Sequence, residues 1–175
     1  PDHRWGNFWS LGGGWIINHE NWFPRTTWID MLKIKASIGS QGNDNIGDYL
    51  YTDTYYLTNN QDSPAIGFGV KGNKEITWET NTNFNAGFDF DLLRGRVSGS
   101  VEYFYRMTSD MLFWFTTPIS LGYSGYYDNI GDMRNSGIEL AANVGVIRND
   151  QMRWDVYLNM THYTNKITML PSDKK

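Results

Sequence analysis

Between Asn83 and Leu92 the chain alternates without a fault. Phe84, Ala86, Phe88, Phe90 and Leu92 take the even positions, and Asn83, Asn85, Gly87, Asp89 and Asp91 the odd ones. Successive side chains of a strand point to opposite faces, so this segment has one wholly apolar face only as a β-strand. After Leu93-Arg94-Gly95 the alternation resumes, with Val97, Gly99, Val101, Tyr103 and Tyr105 against Ser98, Ser100 and Glu102. A tight hairpin is predicted between them. A second hairpin shares the same grammar: Ile138, Leu140, Ala142, Val144 and Val146 alternate with Gly137, Glu139, Ala141, Asn143 and Gly145. Its other arm sets Met152, Trp154, Val156, Leu158 and Met160 against Arg153, Asp155, Tyr157, Asn159 and Thr161, beyond a turn at Arg148-Asn149-Asp150-Gln151. Two further strands are read upstream, at Leu32 to Gly39 and in the aromatic run from Trp5 to Ile17. Composition agrees: 18 Gly and 17 Asn stand beside five Ala, and 16% of the chain is aromatic. That is poor in helix formers, rich in turn and strand residues, and far from a disordered composition.

The connections alternate in length. About 14 residues separate the first strand from the second, then come a long segment from roughly Asn43 to Thr77, a three-residue turn, a long segment from roughly Asp110 to Arg134, and a four-residue turn. Such a two-sided object, short turns on one rim and long loops on the other, matches an outer-membrane barrel. The strands reach 10 to 14 residues, long enough to cross a hydrocarbon core at a tilt. The longest obvious apolar run is Met111 to Phe115, so a spanning helix is excluded while a membrane barrel is not. The bland alternative is a soluble β-sandwich, a carbohydrate-binding module for instance, whose half-buried strands alternate too. A further possibility, a complete eight-stranded barrel, would need extra strands in the loops, with Tyr49 to Leu57 a candidate.

The chemistry-bearing patterns are weak. A net charge of −4 and a pI near 5.3 give no footprint for nucleic-acid phosphates. Without Cys there is no disulfide framework or thiolate site. Gly67-Phe-Gly-Val-Lys-Gly72 fits G-x-G-x-x-G literally, but a strand-like segment stands where phosphate binding needs a helix, so it reads as a glycine-rich loop. Asp89 and Asp91 share a face and read as a polar stripe neutralised by Arg94 and Arg96 rather than as an acid–base pair. His3, His19 and His162 lack metal-ligand spacing. Asp44, Asn45 and Asp48 suit side-chain-stabilised turns better than calcium.

An ordered set of segments resembles the SusC/RagA-like TonB-dependent transporters of the Bacteroidota outer membrane. The segments are Trp15-Ile-Ile-Asn-His-Glu20, Phe23-Pro24, Leu32-Lys-Ile-Lys-Ala-Ser-Ile-Gly39 with Gly42-Asn43 and Ile46 to Tyr49, and Ile76-Thr-Trp-Glu-Thr80. Next come Asn85-Ala-Gly-Phe-Asp-Phe90, Arg96 to Tyr105, Asp110-Met-Leu112, Asn129 to Leu140, and Asn159 to Leu170. The resemblance implies an all-β, antiparallel transmembrane barrel of 22 strands, of which residues 1–175 supply about six. It places the plug, the N-terminal domains and the TonB contact outside this chain, so the chain is expected to be a piece of something longer. It also implies a SusD-like surface lipoprotein as lid, energy from TonB, outer-membrane lipid around the wall, paired transporter-lid units, and a glycan or peptide as cargo. No enzyme, cofactor, metal or nucleic acid belongs to that reading. Inward-facing Asp89, Glu102, Glu139 and Arg153 would line the lumen or touch the plug, and the apolar set would face lipid. Aromatic loop residues remain as substrate-contact candidates, Trp114, Tyr126 and Tyr127 above all, against self-packing of the loops.

Overall fold

The computed structural model describes residues 5–45, 47–60 and 63–170; His3 and Ile46 fall outside them. In chain order the strands are β1 (Trp9–Ile16), β2 (Ile29–Asn43), β3 (Tyr55–Asn60), β4 (Ser63–Phe68), β5 (Glu79–Leu92), β6 (Val97–Ser109), β7 (Leu112–Thr116), β8 (Gly125–Asn129), β9 (Asp132–Arg148) and β10 (Arg153–Met169). Six of them make one open antiparallel sheet in the order β1-β2-β5-β6-β9-β10. All six predicted strands are present: β2, β5, β6, β9 and β10 run beyond the predicted stretches, while β1 takes only Trp9–Ile16 of the Trp5 to Ile17 run. The long connections each hold a separate hairpin, β3 with β4 and β7 with β8, and neither joins the main sheet. The complete small barrel is therefore ruled out: Tyr55–Asn60 forms a strand, but it pairs only with β4.

Register carries the alternation across the sheet. One row on the apolar face runs Trp15, Ile34, Phe88, Val101, Leu140, Met160, each residue directly opposite the next. The row beside it on the polar face runs Gly14, Lys35, Gly87, Glu102, Glu139, Thr161. From Phe84 to Leu92 the apolar stripe covers about 27 Å along the strand at ~3.4 Å per residue. At a strand tilt of about 40° that is roughly 20 Å of bilayer normal, close to the apolar band of an outer-membrane barrel.

No second sheet covers this face among the described residues. Ile34 is 46% exposed, Phe88 41% and Leu158 54%, and Ile76 in a loop is the one buried hydrophobe among the described residues. A sandwich would bury all three strand residues against a partner sheet. The sandwich alternative is thereby corrected: a wall this apolar on one side and polar on the other suits lipid outside and water inside.

Three irregularities sit at the rims. Asp30 of β2 and Val146 of β9 are skipped in the pairing near the short-turn end, and Thr168 of β10 near the other. Bulges of this kind insert one unpaired residue and re-aim the side chains beyond it. Asp30 then reaches the β5–β6 turn, where its Oδ2 accepts from Gly95 N at 3.2 Å. Leu93, Arg94 and Gly95 take positive φ of 56°, 57° and 70° in that turn, which Arg96 N closes on Leu92 O at 3.1 Å. Trp15, Trp22, Trp28 and Trp154 gather near this rim, each about half open to solvent or more, as an interfacial aromatic belt does.

Candidate functional site

Two places concentrate polar chemistry: the inner wall and the cluster made by the long loops. On the wall, Lys35 Nζ lies 3.0 Å from both Asp89 Oδ1 and Glu102 Oε2. Sequence neighbourhood assigned Asp89 to the turn arginines Arg94 and Arg96. The structure instead supplies the cation from β2, because Lys33 and Ser100 flank Asp89 in register and Lys35 is one step away. Nearer the short-turn rim, Asp155 takes Arg148 at 3.3 Å and Arg153 at 2.6 Å. Unbroken alternation would turn Arg148 toward lipid; the bulge at Val146 brings it opposite Arg153 on the polar side. A groove of about 420 Å³ opens on the wall, lined by Asn85, Glu102, Phe104, Arg106, Glu139 and Tyr163 among others. Glu102 and Glu139 stand directly opposite each other there. Phe104, an aromatic ring on the polar face, escaped the sequence reading because it interrupts the polar parity. Its ring lies over Gly137, where an added Cβ would meet the Phe104 Cζ at 2.8 Å.

The two long loops are tied to one another and to the rim. Asn129 Nδ2 donates to Thr77 O at 3.0 Å and to Asp110 O at 2.7 Å, while Thr77 N donates back to Asn129 Oδ1 at 2.8 Å. Asn73 Nδ2 reaches Asp128 Oδ1 at 2.8 Å and Tyr127 O at 3.3 Å. At the sheet edge the Glu79 carboxylate receives Asn43 Nδ2 at 3.2 Å and Leu112 N at 3.3 Å. Side-chain amides with both a donor and an acceptor thus replace the backbone ladder that irregular loops lack. The turn beside Asp44 is stabilised by a side chain other than the three expected, since Asn45 N donates to Asn43 Oδ1 at 3.2 Å.

The three aromatic candidates divide between the faces of the β7–β8 hairpin. Trp114 and Tyr127 are cross-strand partners with ring centroids 5.0 Å apart, and the indole lies over Gly125. Tyr126 lies on the other face, stacked on Phe115 at 5.5 Å. Trp114 and Tyr127 are brought together; Tyr126 is not with them. Rings of the neighbouring loop join in, since Phe68 lies 5.1 Å from Tyr55 and 5.9 Å from Tyr123. The literal G-x-G-x-x-G segment begins at the end of β4 and runs on as an irregular loop. Its Gly72 is needed because a Cβ would fall 2.3 Å from the Thr52 carbonyl carbon. Among the described residues no group of three His, Asp or Glu is placed to hold a metal ion.

The model of the family "TonB dependent receptor-like, beta-barrel" matches residues 2–174. The chain belongs to the TonB-dependent receptor β-barrel family. Among curated relatives, TonB-dependent receptor SusC of Bacteroides thetaiotaomicron is 33% identical over 97% of this chain. TonB-dependent receptor P39 of Formosa agariphila is 30% identical over 97%. The chain spans 18% and 16% of those relatives' lengths. The solved RagAB peptide transporter superposes with a TM-score of 0.86 at 28% identity, over 93% of this chain and 18% of that one. The RagAB peptide importer in its open-open state gives 0.80 at 27% identity. This TonB-dependent receptor segment is part of an outer-membrane barrel wall, and its relatives are receptors rather than enzymes. Its polar face is then the lumen side, and its two long loops share the rim opposite the short turns.

Proposed function

We propose that the parent protein imports a nutrient across the outer membrane, and that this chain contributes about six adjoining strands of the wall and two outer loops. The supporting observation is the in-register division of the sheet into an apolar face and a face carrying Lys35, Asp89, Glu102 and Glu139. A watery lumen beside a lipid-facing surface is the architecture of a conduit. No bond is made or broken in this account. The plug, N-terminal domains and TonB contact lie elsewhere in the parent, a SusD-like lipoprotein closes the loop side, and transporter-lid pairs assemble as dimers. The cargo is a glycan or peptide, a breadth that fits relatives such as the solved peptide transporter RagAB. The proposed cargo-contacting rings of the loops are the packed pair Trp114 and Tyr127 on one side of the β7–β8 hairpin and Tyr126 on the other.

The test is uptake by cells expressing the full-length protein, using fluorescent oligosaccharide and peptide ladders with and without a protonophore. Uptake of one ladder that needs both the protein and the proton gradient is the expected result. Uptake unchanged by deleting the gene would overturn the proposal.

A further inference from the structure

The glycine-rich loop after β4 presents one cation in an unusually fixed way. Gly69 N donates to Thr54 O at 2.7 Å, Val70 N to Thr54 Oγ1 at 3.0 Å, Gly72 N to Asp53 Oδ1 at 2.8 Å and Asn73 N to Leu50 O at 2.9 Å. Thr54 N returns a bond to Val70 O at 3.0 Å. The residues on both sides of Lys71 are therefore held, and the loop closes against its neighbour with no room for a side chain at position 72. Lys71 Nζ lies 5.5 Å from the centre of the Tyr123 ring and 5.8 Å from that of Tyr126. Those rings belong to the other long loop, which the Asn73 and Asn129 bonds lock to this one. Among the described residues the ion pairs involve Lys35, Arg148 and Arg153, and no carboxylate pairs with Lys71.

An exposed ammonium steered by two ring faces, left with spare donors, is suited to a ligand that brings both a carboxylate and a flat apolar surface. We infer that Lys71, Tyr123 and Tyr126 form a recognition site for uronate-bearing oligosaccharide on the outer loops. The inference rests on the import reading and deepens it by naming the cargo's charge. A sugar acid meets the requirement in one residue: its carboxylate takes the ammonium, its C–H face takes a ring of the Tyr55, Phe68, Tyr123 series, and its hydroxyls take the phenol tips. A run of glutamates offers the charge without a ring-sized C–H face, so the ring cluster favours the sugar acid over it.

The test is calorimetric titration of the full-length protein in detergent with hexagalacturonate, its fully methyl-esterified form and hexaglutamate. Hexagalacturonate is expected to bind about tenfold tighter than its ester, the size of one charge-assisted hydrogen bond. Lys71→Gln should erase that difference and Lys71→Arg should keep it, while Tyr126→Leu should weaken both sugar forms alike. Heat-modifiable migration on gels checks that each variant is folded. Equal binding of acid and ester, an unchanged Lys71→Gln, hexaglutamate binding as well as the sugar, or no binding of any probe would each overturn the site. Uptake of a neutral ladder with none of these preferences would leave import standing and refute the site alone.

Discussion

Lys35 and Glu102 stand on strands that do not touch, yet their charged groups meet at 3.0 Å. Gly87 of the intervening strand is the direct cross-strand partner of both. With no side chain there, the lysine stem crosses the strand and joins three strands through one ammonium. A Cβ at Gly87 would fall 2.3 Å from Val101 O, whereas one at Gly13 on the lipid side would meet nothing within 4 Å. Gly87→Val in the parent should cost about 1–3 kcal/mol, the range for forcing volume into a packed site, and Gly13→Ala less than about 0.5 kcal/mol. Urea titrations of refolding into lipid vesicles read the difference; equal costs would mean the crossing at Gly87 is not tight.

Removing the cation itself is a separate matter. Lys35 and its two acids keep between a quarter and a third of their side-chain surface in water. The screened pair energy is therefore small, and Lys35→Gln should cost about 1 kcal/mol at low salt. The loss should shrink as salt is raised toward molar concentration. A cost that is independent of salt would point to lost packing of the lysine stem.

The two faces predict unequal tolerance to charge. Leu140 lies at the centre of β9 on the lipid-facing side, between Val101 and Met160 of the flanking strands. Asn143 lies on the lumen side, opposite Ser98 and Tyr157. Leu140→Arg should cost about 2–4 kcal/mol in a bilayer refolding titration, and Asn143→Arg much less. Similar losses at both would overturn the assignment of faces.

Asn129 holds the loops with three hydrogen bonds while contributing only its end position to the β7–β8 hairpin. Asn129→Ala should unlatch the loops and leave the wall intact. Losing paired groups worth about 1–3 kcal/mol should speed amide exchange around Thr77 and Asp110 at least about tenfold. Exchange in β5 and β6 should not change. Faster exchange throughout the sheet would show that the loops brace the whole wall.

The strands were legible in the sequence because a period of two is local: Phe84 to Leu92 declares its faces without reference to anything distant. The family segments were readable for the same reason, each being short and their order specific. Partnership across strands was not legible. Asp89 drew its cation from Lys35, fifty-four residues away in the chain, because register and a missing side chain at Gly87 decide reach. Nor was the division of Trp114 and Tyr127 from Tyr126, which depends on how the β7–β8 hairpin pairs. Arg148, read as the first residue of a turn, in fact ends β9 on the polar side, since one unpaired residue upstream reverses the side of every residue after it.

That unpaired residue, Val146, says how such a wall can change length. Residues added or lost in pairs keep each neighbour in its own solvent, but a single one exchanges oil for water all the way to the next turn. By absorbing the odd count beside the Arg148 turn, the bulge confines the exchange to the last few positions of β9. Indels in this barrel should therefore come in even numbers along the strands, with odd ones surviving only at the rims.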